Sequence, residues 1–213
     1  MKKQWNVGIF LFNGVDIIDF SGPYEVLSYT AYDKDGLRKL LMGTASMQDR
    51  PFVTFTVSET GSMITTNNGM KVQPDYGFHD APSIDILLIP GAPLIPLKKA
   101  LESQTALQWI RKQYDQVDLI ASICSGAFFL AQAGLLKGKK ATTHHAVCDY
   151  FEQLFPEVEV QQGVRFVDEG NIVTSGGVTS GINMTLYLVE RFLGKENAQT
   201  VARTIEFDTK VQC

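Results

Sequence analysis

Cys124 stands in a sequence pattern that suits a nucleophile. It lies in Ser122-Ile123-Cys124-Ser125-Gly126, between a strand-like apolar run and a helix-like one. Small residues two positions away on either side are typical of a sharp strand-to-helix turn, because the crowded backbone there tolerates little else. The amide groups and positive dipole end of the following helix would favour the thiolate. From spacing alone, a reactive Cys124 and a merely packed one are equally expected.

Asp19 is the carboxylate that we expect beside Cys124. It follows the first predicted strand, and the loops after parallel strands share one edge of a doubly wound sheet. Burial near a thiol would raise the pKa of this carboxyl group, which suits proton transfer near neutral pH. The alternative is that Asp19 only caps a helix beginning near Ser21-Gly22-Pro23. Asp16 is expected at the surface.

Four further residues are candidates for supporting roles. Gly91 and Ala92 end an apolar strand, and their amides would hold developing negative charge or simply form a turn. Ser125 would donate a hydrogen bond to substrate or to Asp19, or satisfy the first helical turn. His144 is a candidate base or a residue just behind the site, although a structural role is common for such a histidine. No cluster has metal-ligand spacing and no glycine pattern fits a nucleotide, so neither a metal nor a cofactor is expected.

The order of segments predicts the elements that position these residues. Short runs rich in Ile, Val and Leu alternate with amphipathic stretches, which is typical of crossover units feeding a mostly parallel sheet. We expect one α/β domain over residues 1–213, with a flavodoxin-like doubly wound sheet, helices on both faces and a nucleophile elbow at Cys124.

Other segments predict antiparallel pieces and a helical tail. The β-rich stretches 52–57, 63–65 and 70–72 predict a small antiparallel unit, and 165–174 predicts a hairpin. The chain after Gly181 has helical spacing, and Gly194 predicts a break between two helices.

Composition limits the classes of function. The 213 residues are 45% hydrophobic and 20% charged, with a net charge of −4, so neither nucleic-acid binding nor an appended DNA-binding module is expected. The uncharged run 119–136 is interrupted by polar and small residues, and a buried strand and helix explain it better than a membrane span. Cys124, Cys148 and Cys213 are too few and too scattered for a disulfide framework, which favours reduced thiols and a cytoplasmic protein.

Four segments together resemble a known superfamily. In chain order they are VDIIDFSGPYEVL, LLIPGA, SICSGAFFLAQAGLLKGKKATTHH and NIVTSGGVTSGINMTLYLVE. They resemble the ThiJ/PfpI superfamily, which has the class I glutamine-amidotransferase-like fold, over nearly the whole chain. Within it, the chain looks most like isonitrile hydratases and the ligand-binding halves of AraC-type regulators. Those relatives have an Asp-x-(Thr/Ser)-Gly-Pro segment, here at 19–23, and a Cys-Thr-Gly elbow, here Cys-Ser-Gly at 124–126.

The resemblance implies a cofactor-free enzyme that acts on a small electrophilic molecule and forms a homodimer. Cys124 would hydrate isonitriles to N-substituted formamides, with Asp19 moving the protons. The superfamily's peptidase and amidase branch has a histidine after the cysteine, where this chain has Ser125. A protease, amidase or α-oxoaldehyde-acting hydrolase with His144 as base is an alternative. So is a sensing domain whose Cys124 responds to oxidants or electrophiles without turnover.

Overall fold

The computed structural model describes residues 3–207, and Cys213 lies outside that range. The strands are β1 (Trp5–Phe10), β2 (Phe52–Ser58), β3 (Ile64–Thr65), β4 (Lys71–Val72), β5 (Tyr76–Gly77), β6 (Ile86–Ile89), β7 (Leu119–Ser122), β8 (Lys140–Ala141), β9 (Glu159–Val160), β10 (Phe166–Asp168) and β11 (Ile172–Ser175). The helices are α1 (Ile17–Ser28), α2 (Lys34–Leu41), α3 (Leu94–Leu101), α4 (Gln104–Tyr114), α5 (Ala127–Gln132), α6 (Cys148–Leu154), α7 (Thr179–Leu193) and α8 (Lys195–Thr204). Three short 3₁₀ turns occupy Met47–Asp49, Cys124–Gly126 and His145–Val147.

A seven-stranded sheet organises the chain in the order β10-β11-β7-β6-β1-β2-β5. Neighbouring strands are parallel except for β10 against β11. The five central parallel strands, β2-β1-β6-β7-β11, follow the 2-1-3-4-5 order of doubly wound flavodoxin-like sheets. The predicted fold class is therefore confirmed.

The central strands are buried on both faces. Every residue of β6 and β7 is buried, as expected for strands covered by helices on each side. Helices α1, α7 and α8 pack together, whereas α3, α4 and α5 contact one another. The crossovers from β1 to β2 and from β6 to β7 run in opposite directions, so right-handed connections place their helices on opposite faces. The chain thus reverses its winding between β1 and β6, where such sheets gather their sites.

One predicted pairing is wrong and two are confirmed. The stretch 52–57 is not antiparallel, because β2 lies parallel to β1 in the main sheet, from Trp5 opposite Phe52 to Phe10 opposite Val57. Burial of the apolar side chains of β2 in the core explains its place there. The β3–β4 and β10–β11 pairs are antiparallel as predicted, and Gly194 separates α7 from α8 with a φ of +88°.

Helix α1 begins four residues earlier than predicted. Its first residue is Ile17, so Ser21 and Pro23 lie inside it instead of at its start. Asp16 occupies the N-cap position and Asp19 the first turn, which makes the prediction that Asp19 is a cap wrong. Within residues 3–207, no helix has both the length and the apolar character needed to cross a membrane.

Candidate active site

Cys124 sits on a strained turn after β7. Its φ is +56°, a region that non-glycine residues rarely adopt and that costs conformational energy. The backbone on both sides of the residue is fixed. Its N–H donates to the carbonyl oxygen of Gly176 at 3.1 Å, and its carbonyl oxygen accepts from Thr143 Oγ1 at 2.9 Å. The surrounding loops therefore hold the elbow in this conformation.

Close approaches explain why glycines flank the elbow. A Cβ on Gly126 would lie 2.1 Å from the carbonyl oxygen of Ile89. A Cβ on Gly91 would lie 2.6 Å from both the backbone nitrogen and Oγ of Ser125, and 3.0 Å from Cys124 Cβ. These contacts leave no room for a side chain. The small residues of the elbow pattern thus follow from the packing of β7 against the turn after β6.

Asp19 lies beside Cys124, buried in the first turn of α1. Its side chain is 0% exposed, and Cys124 is 5% exposed. Oδ2 accepts a hydrogen bond from the Gly91 N–H at 3.1 Å. Oδ1 is buried and, among the described residues, makes no hydrogen bond of regular geometry. One carboxylate oxygen each of Asp16 and Asp19 and the Sγ of Cys124 lie within 4.8 Å of one another.

The environment of Asp19 brings the pKa of its carboxyl group close to neutral pH. Burial raises the pKa of its carboxyl group to about 6, and the negative charge of Asp16 acts in the same direction. The Gly91 N–H, the Cys124 thiol and the N–H of Val178 favour the charged form and lower the pKa. The effect of burial on this pKa is larger than the effect of these three groups, so the pKa is raised.

The pKa of the Cys124 thiol is raised, not lowered as predicted from the helix that follows it. Burial is the main cause, and the charge of Asp19 adds to it, while the Ser125 N–H acts in the opposite direction. The charge of Asp19 raises the pKa of the Cys124 thiol, whereas the thiol lowers the pKa of Asp19, so the pair releases its two protons in separate steps, Asp19 first. Near neutral pH, Cys124 and Asp19 together therefore hold one proton.

The turn after β6 builds the site and does not present free donors. The Gly91 N–H is occupied by Asp19, and the Ala92 N–H donates to Ser125 Oγ at 2.9 Å. The Ser125 hydroxyl donates in turn to the Ala92 carbonyl oxygen at 2.6 Å. Both amides are thus engaged within the protein, and their role in holding substrate charge stays a prediction. Ser125 ties the elbow to the neighbouring turn instead of reaching Asp19.

His144 packs against Gly177 in the loop after β11. It helps to line a cavity of about 320 Å³, together with Thr143 and Gly176, which hydrogen-bond the backbone of Cys124. Its Nδ1 accepts from the Ala146 N–H at 3.2 Å. Burial and the neighbouring His145 lower the pKa of His144. Within residues 3–207, no hydrogen bond joins His144 to Cys124 or Asp19.

Asp16 is the site residue that sequence reasoning missed. It was expected at the surface, yet it is partly buried, and burial raises the pKa of its carboxyl group. The signal was its spacing, because residues three apart at a helix start share one face. With Asp19 and Cys124, it forms a set that could ligate a metal ion. Sequence spacing could not predict that set, since its members come from two distant segments.

Comparison with known proteins agrees with this fold. The model of the DJ-1/PfpI family matches residues 6–191, so the chain belongs to the DJ-1/PfpI family. The isonitrile hydratase of Pseudomonas putida is 33% identical over 202 residues, which are 94% of this chain and 78% of that protein. The HTH-type transcriptional regulator GbdR of Pseudomonas aeruginosa is 28% identical over 153 residues, 72% of this chain but 41% of the regulator.

A solved structure shares the fold. It is that of a ThiJ/PfpI family protein from Pseudomonas syringae, with a TM-score of 0.80 at 22% identity, covering 99% of this chain and 78% of that one. The family therefore includes both an enzyme of small-molecule chemistry and regulators, and the choice between them depends on the site.

Proposed function

We propose that this protein is a cysteine-dependent isonitrile hydratase, which converts an isonitrile and water into an N-substituted formamide. The observation that carries the proposal is the buried pair of Cys124 and Asp19, whose Sγ and carboxylate oxygen lie within 4.8 Å of each other. The 33% identity to the isonitrile hydratase of P. putida supports the choice of reaction. The substrate class is a small molecule with one electrophilic carbon.

In the first step, Cys124 Sγ forms a bond to the terminal carbon of R–N≡C. The proton shared by the pair moves through Asp19 to the same carbon, which gives a thioimidate, R–N=CH–S, on Cys124. The strained φ of +56° holds Sγ at the sheet edge, and the Gly91 N–H orients the carboxyl group that moves the proton. Asp19 is left as a carboxylate.

In the second step, the oxygen of a water molecule attacks the thioimidate carbon. Asp19 takes a proton from this water and passes it to the nitrogen, which gives R–NH–CH(OH)–S on Cys124. The C–S bond then breaks, the hydroxyl proton returns to the pair through Asp19, and R–NH–CHO leaves. The atoms balance with one isonitrile and one water per turnover.

The two alternative functions require a histidine beside Cys124 or an accessible thiolate, and the site fits these requirements less well. A hydrolase with His144 as base needs that histidine beside Cys124, and its Nδ1 is engaged by Ala146 instead. A thiol sensor reacts through an accessible thiolate, whereas Cys124 is 5% exposed and burial raises its pKa. These observations favour turnover of a small molecule that enters the site over modification at a surface.

The test is the time course of para-nitrophenyl isonitrile with the wild type, Cys124→Ala and Asp19→Asn. Infrared spectroscopy follows loss of the isonitrile band, and mass spectrometry follows the formamide. We expect formamide from the wild type and none above background from Cys124→Ala. A wild-type protein that leaves the isonitrile intact, or a Cys124→Ala variant that still hydrates it, would overturn the proposal.

Homodimerisation, the cytoplasmic location and the absence of nucleic-acid binding stay predictions. Light scattering of the purified chain checks the first, fractionation of cells checks the second, and titration with labelled duplex DNA checks the third. None of them enters the chemical steps above.

A further inference from the structure

We propose that Asp16 is a specificity-determining residue, whose carboxylate excludes anionic molecules from Cys124 and admits neutral or cationic ones. This inference rests on the proposed function for its substrates, since it narrows the isonitriles that the site would accept. It concerns the charge of the R group, which the reaction itself does not fix.

The first argument is the position of the Asp16 side chain. An aspartate at an N-cap ordinarily accepts a hydrogen bond from a backbone N–H of the first turn. Asp16 has the extended N-cap backbone, with φ −76° and ψ 131°, but its side chain makes no capping bond. Its own N–H donates to the Gly91 carbonyl oxygen at 2.9 Å, which fixes the residue beside the site. The carboxylate is thus held near Asp19 and Cys124 without a capping role.

The second argument is the charge of the surroundings. Helix α1 contributes Asp19 and the elbow contributes Cys124, both with a group within 4.8 Å of an Asp16 carboxylate oxygen. The other two turns at this edge, 90–93 and 176–178, consist of Pro-Gly-Ala-Pro and Gly-Gly-Val and add no titratable side chain. Among the described residues, the charges that act on the pKa values of Asp19 and Cys124 are those of carboxylates.

The third argument is the unsatisfied polar atom in the site. Asp19 Oδ1 is fully buried and has no regular hydrogen-bond partner in residues 3–207. The Cys124 thiol and the Val178 N–H act on Asp19, yet Oδ1 has no hydrogen bond of regular geometry, which favours a molecule that brings a better-placed proton donor or a positive charge. An anionic group would instead meet the Asp16 charge in a partly desolvated site, where Coulomb interactions are stronger than in water.

The experiment compares two alkylating reagents that differ in charge. Iodoacetamide is neutral and iodoacetate is anionic, and both alkylate thiols, so the ratio of their rates at Cys124 reports the local charge. The proteins are the wild type, Asp16→Asn, Asp16→Ser and the control Asp115→Asn. Asp115 is exposed at the end of α4, before the amino end of β7, and its substitution changes the net charge equally. Peptide mapping follows Cys124 alone, with EDTA present throughout.

We expect both Asp16 variants to raise the iodoacetate-to-iodoacetamide rate ratio by roughly five- to tenfold, the effect of removing one charge at this range. Asn and Ser both serve as N-caps, so α1 keeps a cap in each variant. Asp115→Asn should leave the ratio within about twofold, because it removes a distant, solvent-screened charge. An unchanged ratio in both Asp16 variants, or an equal change in Asp115→Asn, would overturn the proposal.

A second measurement applies the inference to turnover. The wild type should hydrate para-nitrophenyl isonitrile faster than para-carboxyphenyl isonitrile. Asp16→Asn should lower the ratio of these two rates by roughly the same five- to tenfold. A preference that Asp16→Asn leaves unchanged would overturn the inference. If the wild type hydrates neither isonitrile, the proposed function fails while the alkylation ratios still decide the role of Asp16.

Discussion

Cys124 and Cys148 are two buried cysteines that each begin a helical segment, and the groups around their sulfur atoms differ. Their exposures are 5% and 3%, and burial raises the pKa of both thiols. Cys148 Sγ contacts the carbonyl oxygens of Thr143 at 3.9 Å and His144 at 3.6 Å. Cys124 Sγ faces the carboxyl groups of Asp16 and Asp19 instead. In the proposed function, burial at a helix start is not sufficient for a nucleophile, and the carboxyl group that can take the thiol proton is what distinguishes Cys124 from Cys148.

The backbone separates the two cysteines as well. Cys148 has the ordinary helical φ of −56°, and Cys124 has φ +56°. Strain in a native backbone persists only where surrounding contacts enforce it, and it concentrates at functional sites. The same residue type thus packs as part of a helix in one place and is held on a strained turn in the other.

The largest expected effect is a loss of activity on substitution of Cys124 that substitution of Cys148 does not cause. Cys124→Ala should lower the turnover of para-nitrophenyl isonitrile by about 10⁴-fold or more, because the covalent route has no nucleophile. Cys148→Ala should change it by less than about threefold, since its thiol only packs against carbonyl oxygens. Initial rates of formamide formation measure both, with circular dichroism as the folding control. Equal losses in the two variants would break the comparison.

Asp19→Asn should lower turnover by about 10²- to 10⁴-fold, since it removes the group that moves the protons. It should also stabilise the protein at pH 7. The raised folded-state pKa means that the folded chain binds this proton more tightly than the unfolded chain, so the ionised carboxyl group costs stability above about pH 6. Relative to an ordinary aspartate pKa of 3.8, that cost is about 3 kcal/mol at most.

Urea denaturation of Asp19→Asn and the wild type at two pH values measures this stability difference. The variant should be more stable at pH 7, and the difference should shrink as the pH falls from about 6 towards 4, because the wild-type carboxyl group then becomes neutral in the folded state. The wild-type kcat/KM should fall over the same range. A stability difference that grows towards pH 4 would contradict the raised pKa of Asp19.

The smallest of these effects is expected at the turn that supports the site. Gly91→Ala places a Cβ 2.6 Å from Ser125 N and Oγ, so the elbow or the turn must shift. We expect a loss of about 1–3 kcal/mol in stability, the usual cost of overpacking, and about tenfold in kcat/KM. Gly36→Ala, where the nearest atom would be Ala31 Cβ at 3.3 Å, is the control. Similar losses in the two variants would show that the contact with Ser125 is not specific to the site.

Local patterns predicted the sharp turn at Cys124 and the architecture. Alternating apolar runs identified the parallel strands because buried strands have a composition unlike that of their helices. The elbow identified Cys124, since the contact between Gly126 and Ile89 admits no side chain. The loop after β1 identified Asp19 because carboxyl ends of parallel strands meet at one edge.

The features that the sequence did not predict correctly depend on contacts between distant segments. The sequence around Ser21 and Pro23 has the composition of a helix start, and only the packing of the chain after β1 places the start at Ile17. That shift brings Asp16 into the site. Likewise, the amides of the turn after β6 donate hydrogen bonds to Asp19 and Ser125. The residue spacing within that turn does not predict these partners.

The most direct test of the covalent route is the intact mass of the protein during reaction with excess para-nitrophenyl isonitrile. The wild type, quenched with acid during turnover, should carry an adduct equal to one isonitrile, because the thioimidate lies between the two steps, and peptide mapping should place it on Cys124. Asp19→Asn should form this adduct far more slowly, since Asp19 moves the proton of the first step. Cys124→Ala should show none. An adduct on Cys148, or formamide formed by Cys124→Ala at the wild-type rate, would contradict the account.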